Sequence, residues 1–245
     1  MEKGLTVKQQ EALMIQEMNA FTQNNDAHIT AEDIAIPHLR LIQGTSSTEG
    51  LDDDVNVGDM VLSSGTASLG NNKKPIKFTY VIDEMKNFII SKDIDGTFKW
   101  IDRQPFDAKL AQQWAFDEYN GEQGSYKREV CYHFYILIDG HTSPTKVSFK
   151  GASAKAGKQL YSILTDMKFL KMNYWDSYLS LKSKSVSKNG KKWQEFSVEL
   201  MDTKANPTDM KTRLLAFEWA KTIKSGAFVD KSLEAVEVST DEIPF

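Results

Sequence analysis

The chain has 245 residues, of which 40% are hydrophobic and 26% charged, a composition typical of a globular protein with one large domain and appendages. No apolar run approaches the roughly 20 residues that cross a bilayer, and no basic-then-apolar leader opens the sequence. We therefore expect a protein without membrane contact that stays in the cytoplasm where it is made. The single cysteine, Cys131, excludes an internal disulfide and is expected to be buried because it lies in an apolar run.

The first 58 residues predict an extension of helices and loops. Thr6 and Gln9 have the spacing of a capping box at the start of one helix. Residues 38–42 and Met60–Leu62 are typical of short strands, separated by loops rich in Gly, Ser, Asn and Asp.

Regular strand patterns begin at residue 75. Alternating apolar residues over 75–82 predict a half-buried strand, and the Asp-Gly pair after it predicts a hairpin between residues 88–91 and 97–101. Leu110, Trp114 and Ala115 favour a helix over residues 108–119, which the following Asn-Gly pair would close.

The next residues alternate between strand and helix signals. Residues 130–138 are apolar on both faces, as in a strand covered on both sides. Residues 145–150 predict another strand, and an apolar stripe predicts a helix over 153–170. Two further strands would pair across Asn189-Gly190, a strong hairpin signal.

This order of elements predicts a mainly β fold with flanking helices, an α+β protein built on an OB-fold-like five-stranded barrel. We expect residues 59–205 to form that domain, after the extension of residues 1–58. Residues 206–229 would form a C-terminal helix that starts at Asn206-Pro207. The acid-rich residues 230–245 predict a disordered tail for protein interactions.

Positive charge and aromatic rings are concentrated in residues 126–193. Thirteen Lys and Arg residues there stand against four Asp and Glu residues, although the whole chain has a net charge of -4. Basic side chains neutralise phosphates and flat rings stack on unpaired bases, so this composition predicts a groove for one nucleic-acid strand. The candidate DNA-binding residues are Lys127, Arg128, Lys146, Lys150, Lys155, Lys158, Tyr174, Trp175, Tyr178, Lys182, Lys184, Lys188, Lys191, Lys192, Trp193 and, outside that segment, Trp100.

The same pattern has a plainer interpretation for some of these residues. Phe134, Phe149 and Phe196 are expected in the core, whereas Tyr178 and Trp193 are balanced between core and binding surface. Strand alternation predicts that the DNA strand lies along the face carrying Lys146, Lys150, Tyr178, Lys182, Lys184 and Trp193.

The last five residues are Asp241-Glu242-Ile243-Pro244-Phe245. They resemble the acidic tip of bacterial single-stranded DNA-binding proteins, in which several aspartates precede Ile-Pro-Phe, although this chain has one Asp and one Glu in place of that run. The longer body looks more like a bacteriophage single-stranded DNA-binding protein, in which an OB-fold precedes an acidic C-terminus with a final aromatic residue.

The resemblance implies binding of single-stranded DNA without catalysis, in the host cytoplasm if the protein is phage-encoded, during replication, recombination or repair. It also implies that residues 241–245 recruit a polymerase, a helicase-primase or a nuclease. A flexible acidic tail would compete with DNA phosphates for the basic groove. A homo-oligomer is compatible with this hypothesis.

Two alternatives remain open at this level. Glu84 and Lys86 match a Glu-x-Lys element of metal-dependent nucleases, and the acidic tail could instead belong to an inhibitor module that mimics DNA. We expect no cofactor and no metal, because the four histidines lack metal-ligand spacing and no phosphate-binding glycine loop occurs.

Overall fold

The computed structural model describes residues 36–202 and 204–225. The chain divides into two compact units, Met1–Ala35 and Ile36–Phe245, and every described residue belongs to the second. The helices expected near the N-terminus and the acidic tail lie outside the described residues.

The described residues form a mainly β structure with flanking helices, as predicted. In chain order the elements are β1 His38–Leu41, β2 Met60–Leu62, β3 Ile76–Asp83, β4 Asn87–Ile94, β5 Thr97–Pro105, β6 Ala115–Tyr119, β7 Glu122–Ile138, β8 Thr145–Phe149, α1 Ala154–Phe169, β9 Leu179–Lys188, β10 Lys191–Leu200 and α2 Met210–Lys224. The strand signals at residues 38–42 and 60–62, the helix over 153–170 and both predicted hairpins are confirmed.

The strands form one curled, half-barrel sheet in the order β10-β9-β3-β7-β8-β1-β2. Strand β7 belongs to two layers, since its second half pairs with β3 and β8 while its first half pairs with β4 and β6. Strand β5 pairs with β4 and so extends the layer formed by the first half of β7. We call β4, β5, β6 and residues 122–131 of β7 the arm.

The main core lies on the inner side of the curled sheet, under α1. Leu160, Leu164 and Met167 of α1 are buried there against Phe134 and Phe149 of β7 and β8. Each buried side chain of this size contributes about 1.5–3 kcal/mol. The three phenylalanines expected in the core are buried, as is Cys131.

The opposite side of β3 and β7 is covered by α2. Val81, Tyr135 and Leu137 of the sheet form a second cluster with Ala216 of the helix. The prediction that residues 130–138 are covered on both faces is therefore confirmed.

Side chains hold the outer edge of β10. The Gln194 N–H donates to Gln43 Oε1 at 2.9 Å, and Gln43 Nε2 donates to the Gln194 carbonyl at 3.0 Å. Two residues further on, the Phe196 N–H donates to Ser153 Oγ at 3.1 Å. These bonds bring the segment after β1 against the last strand and curl the sheet.

The helix predicted over residues 108–119 is wrong, because residues 108–112 form turns and residues 115–119 form β6. Asn120 and Gly121 have φ values of 52° and 80°, which suit the tight turn that joins β6 to β7. Phe116 stacks on Tyr126 with centroids 5.5 Å apart, and Tyr119 lies 5.7 Å from the same ring. These cross-strand aromatic contacts outweigh the weak helical periodicity.

Helix α2 begins at Met210, later than the predicted start at Asn206-Pro207. Asp209 is its N-cap and accepts from the Thr212 N–H at 3.0 Å. The Asn206 N–H instead donates to the Asp202 carbonyl at 2.7 Å, which holds the preceding residues in a turn.

Candidate nucleic-acid interface

One face of the arm brings aromatic and basic side chains together. Across β5, β4 and β7, Trp100 aligns with Ser91 and Lys127. Arg103 and Glu129 align in the same way on either side of β4. Lys127 and Glu129 share a face because they alternate along β7. Trp100 and Arg103 are three residues apart, and the bulge opposite Ile90 and Ser91 brings both to that same surface. We define the arm face as Phe98, Trp100, Arg103, Lys127, Glu129 and Lys150.

Lys127 links the aromatic and basic parts of this face. Its Nζ lies 3.6 Å from the Phe98 ring centroid, a cation–π contact. Burial lowers the pKa of Lys127, and the positive charge of Lys191 lowers it further. Lys191 stands at the tip of the β9-β10 hairpin, and the charges of Glu129 and Asp93 oppose its effect on Lys127.

Trp100 is the open aromatic group of the arm face. Its side chain is 46% exposed, whereas Phe98 is half-buried under Lys127. An indole exposed to this extent beside cations is suited to stack on an unpaired base.

Glu129 is the acidic group of the arm face. Burial raises the pKa of its carboxyl, while the nearby charges of Lys150 and Lys127 lower it. Lys150 and Arg103 also act on Cys131, whose pKa burial raises to about 12. The exposed Lys150 and the half-buried Arg103 therefore extend the positive charge towards β8.

Lys146 does not line an open groove, contrary to the prediction. Its side chain is 1% exposed, and its Nζ donates to Glu84 Oε1 at 2.9 Å. Tyr135 also donates to that carboxylate. Burial alone would raise the pKa of Glu84, but Lys146 and Tyr135 outweigh burial and hold it below its usual value.

The polar network continues beside Lys146 at His133. The His133 ring lies 2.8 Å from Ser148 Oγ and 3.3 Å from Asn87 Oδ1. Burial, followed by the charge of Lys146, lowers the pKa of His133 to about 4. This part of the β7-β8 surface is therefore packed and internally hydrogen-bonded.

Tyr178 and Trp175 are packing residues, which corrects their assignment as stacking platforms. Tyr178 is 3% exposed, and its hydroxyl donates to Asp139 at 3.1 Å. Trp175 packs edge-on against Phe217 at 5.3 Å in the cluster under α2. Alternation predicted the outer face for Tyr178, but residues next to α2 cover that position.

Arg128 lies on the opposite side of the arm from Lys127. Its guanidinium sits 4.7 Å from the Phe116 ring centroid and 5.3 Å from that of Phe88. It joins the small aromatic core behind the arm face and is not part of that face.

The β9-β10 hairpin carries most of the exposed predicted lysines. Lys182 pairs with Glu199 at 2.6 Å, and Trp193 is half-buried with its indole N–H donated to Glu195 at 2.8 Å. Four lysines towards the tip are exposed, namely Lys184, Lys188, Lys191 and Lys192.

The remaining predicted residues lie on or near α1. Lys155 and Lys158 are exposed on this helix. Tyr174 is half-buried and packs edge-on against Tyr80 at 5.5 Å. It lines a cavity at the far end of α1 from Lys155. Residues 241–245 lie outside the described residues.

Glu84 and Lys86, the two residues of the nuclease alternative, contact different groups. Glu84 holds Lys146, whereas the Lys86 ammonium lies 3.8 Å from the Phe106 ring centroid. In residues 36–202 and 204–225, no three His, Cys, Asp or Glu side chains gather as metal ligands would. The helices of this described region also lack the length and hydropathy needed to cross a membrane.

Sequence patterns missed Phe98 and Arg103. Both precede the basic segment, and their place beside Lys127 depends on the pairing of β4 with β5 and β7. The Asp-Gly hairpin signal was the available clue, because it pairs the strand that holds them with β4.

The chain was compared with protein-family models, with curated proteins and with solved structures, and none of them matches. The arrangement of side chains on the arm face is therefore the basis for assigning a function.

Proposed function

We propose that the protein binds single-stranded DNA without sequence preference, along the arm face and the tip of the β9-β10 hairpin. The observation that carries the proposal is the exposed Trp100 on one surface with Phe98, Lys127 and Arg103. Such a surface offers one ring for a base and several cations for the phosphates around it.

The connectivity supports an OB-like interpretation of the curled sheet. Strands β3, β7, β8, β9 and β10 are paired in the order β8-β7-β3-β9-β10, with α1 between β8 and β9. In OB-folds, oligonucleotides bind across the second and third strands, between the loops that follow the first and fourth strands. Here those loops correspond to the arm hairpin and the β9-β10 tip.

The magnitudes favour an unpaired strand over a duplex. A stacked base contributes about 1–3 kcal/mol, and Trp100 can supply that contact only to a base that is not paired. Each lysine that neutralises a phosphate adds about 0.7 to the slope of log affinity against log salt. The four exposed hairpin lysines would then make binding strongly salt-dependent.

The proposal is tested by fluorescence anisotropy of labelled oligo-dT at two salt concentrations, with a duplex of equal length as control. We expect salt-weakened binding that prefers the single strand. Absence of binding at low salt would overturn the proposal.

Two tryptophan variants locate the site in the same assay. We expect Trp100→Ala to weaken oligo-dT binding roughly tenfold, through loss of one stacked base. Trp114→Ala is the matched control, since Trp114 is 63% exposed but is not part of the arm face. An equal loss in both variants would place the strand elsewhere.

The tail has a separate role in this proposal, which is the recruitment of replication or repair proteins through residues 241–245. Deletion of residues 230–245 removes acidic groups that repel the DNA phosphates, so we expect oligo-dT binding at least as tight as that of the intact chain. A pull-down of candidate polymerases, helicase-primases and nucleases should lose its signal with the deleted protein. Weaker DNA binding after deletion would contradict this division of roles.

A further inference from the structure

A cavity of about 570 Å³ opens beside the C-terminal end of α1, outside the arm face. Its wall is formed by the rings of Tyr80, Tyr161 and Tyr174 and the side chain of Leu164. This volume lies within the usual range for sites that hold a small ligand or one large side chain. We call it the tyrosine pocket.

The polar group inside the tyrosine pocket is already satisfied. Asp83 accepts from the Tyr80 hydroxyl at 2.6 Å and from the Tyr161 hydroxyl at 2.8 Å. Burial, followed by these bonds to Asp83, raises the pKa of both tyrosines, so their hydroxyls remain donors. The pocket therefore presents ring faces to an occupant, with the carboxylate held by two donors.

The rim of the pocket is apolar and basic. Phe169, the last residue of α1, lines the opening and is 81% exposed, and the next residue, Leu170, is 69% exposed. Lys168 and Lys171 line the same rim and are both exposed. An apolar, aromatic cavity ringed by two ammonium groups suits an acidic segment that carries a large apolar side chain.

The sequence contains such a segment outside the described residues. Residues 241–245 place two carboxylates directly before Ile243, Pro244 and Phe245. Phe245 can fill the space between the tyrosine rings, where edge-on aromatic contacts add about 0.5–1.5 kcal/mol beyond burial. The proline restricts the backbone before binding and so reduces the entropy lost on docking.

The chain is long enough to reach the pocket. Fifteen residues, 226–240, connect Ser225, the last described residue, to residues 241–245, and they can span about 50 Å when extended. A compact unit of about 190 residues has a radius of gyration of about 16 Å. The connecting residues span about three times this radius, a length suited to reaching a site on the same unit.

We propose that the tyrosine pocket binds residues 241–245 of the same chain, with Phe245 inserted among the three tyrosines and the acidic residues beside Lys168 and Lys171. This contact withholds the tail from other proteins until a partner competes for it. The contact itself does not depend on DNA binding, whereas its consequence rests on the recruiting role proposed above for residues 241–245.

The test uses the full-length chain and a fluorescent peptide with the sequence of residues 236–245. In the full-length Phe245→Ala variant the pocket is vacated, so we expect the peptide to bind this variant at least tenfold more tightly than it binds the unmodified chain. A peptide with the same Phe245→Ala change should lose at least tenfold in affinity, as burial of that ring is lost.

Pocket variants in the Phe245→Ala background locate the site. Lys168→Glu reverses a rim charge and should weaken peptide binding about fivefold. Thr165→Trp places a large ring in the opening from an exposed position and should abolish binding. Lys158→Glu, an equal charge change on the same helix, is the control and should change nothing.

Three outcomes would overturn the proposal. The first is no peptide binding to the Phe245→Ala chain. The second is binding that Lys168→Glu and Thr165→Trp leave unchanged while oligo-dT displaces the peptide, which would place the tail in the DNA site. The third is a tail-dependent dimer of the unmodified chain in light scattering, which would assign the occupant to a second copy.

Discussion

Lys146 and Lys127 project from the same side of neighbouring strands, yet their surroundings differ completely. Lys146 is 1% exposed and paired with Glu84, among Tyr135 and other groups that α2 and the β3-β4 connection cover. Lys127 lies over the Phe98 ring at the foot of an open aromatic surface. Lys146 is paired with the second half of β7, whereas Lys127 belongs to the first half of the same strand.

The difference shows that alternation along a strand assigns a side chain to a face but does not determine what covers that face. On the second half of β7 the outer side is covered by α2, and the buried Lys146 of the adjacent strand β8 has a carboxylate partner. On the first half the outer side carries the arm face, where Lys127 lies over the Phe98 ring beside the exposed Trp100.

The largest effect is expected from Lys146→Met. This variant leaves the half-buried Glu84 without its cation, and breaking a pair with one fully buried partner costs up to about 3 kcal/mol in the free energy of unfolding. Urea denaturation measures the loss. The matched control is Lys150→Met, for which we expect no change in the unfolding midpoint, because Lys150 is exposed. Unchanged stability together with a loss of DNA affinity would contradict this prediction, because it would assign Lys146 to the DNA surface.

A smaller effect is expected from neighbouring residues on opposite faces of the arm. Lys127→Gln should reduce the salt slope of oligo-dT binding by about 0.7, as one phosphate contact is lost. Arg128→Gln should leave that slope unchanged, because its guanidinium is packed between Phe88 and Phe116. Anisotropy titrations over a salt series measure both slopes. A change confined to Arg128→Gln would show that DNA binds the face opposite to the arm face.

The smallest effect is a pH dependence centred on Glu129. Its raised pKa means that acidification protonates it earlier than an ordinary glutamate, which removes a negative charge from the arm face. Affinity for oligo-dT should therefore rise a few-fold, by about 1 kcal/mol or less, as pH falls through that pKa. Glu129→Gln should bind more tightly at neutral pH and show a flatter pH profile. An unaltered profile would show that DNA passes away from Glu129.

Several elements were predictable because local chemistry determines them. Asn189-Gly190 adopts positive φ at both residues, which is the turn that an Asn-Gly pair favours. The stripe through Leu160, Leu164 and Met167 produced α1, since one apolar face at helical spacing must be buried. In both cases the determining interactions lie within a few residues of sequence.

The arm and the site depended on interactions between distant segments. Phe116 and Tyr126 stabilise β6 only after β7 is in place, so the local sequence of residues 108–119 gave a misleading helical signal. Trp100 was predicted as a candidate base-stacking residue. Phe98 and Arg103 were not predicted, because they reach the same surface only through the pairing of β4 with β5, which includes a bulge between Ile90 and Ser91. The basic composition indicated a surface without showing which of its lysines were paired internally.

The side chains along the edge of β10 have a consequence for how copies of this protein meet at high local concentration. An edge strand with free amides can accept a strand from another molecule, which leads to domain swapping or aggregation. Here Gln43 satisfies both backbone groups of Gln194, and Ser153 accepts from the next outward-facing amide. A second chain that added a strand would have to break these bonds first. Gln43 and Ser153 thus disfavour the addition of a strand from a second molecule at these positions. Side chains perform this role here in place of a further strand.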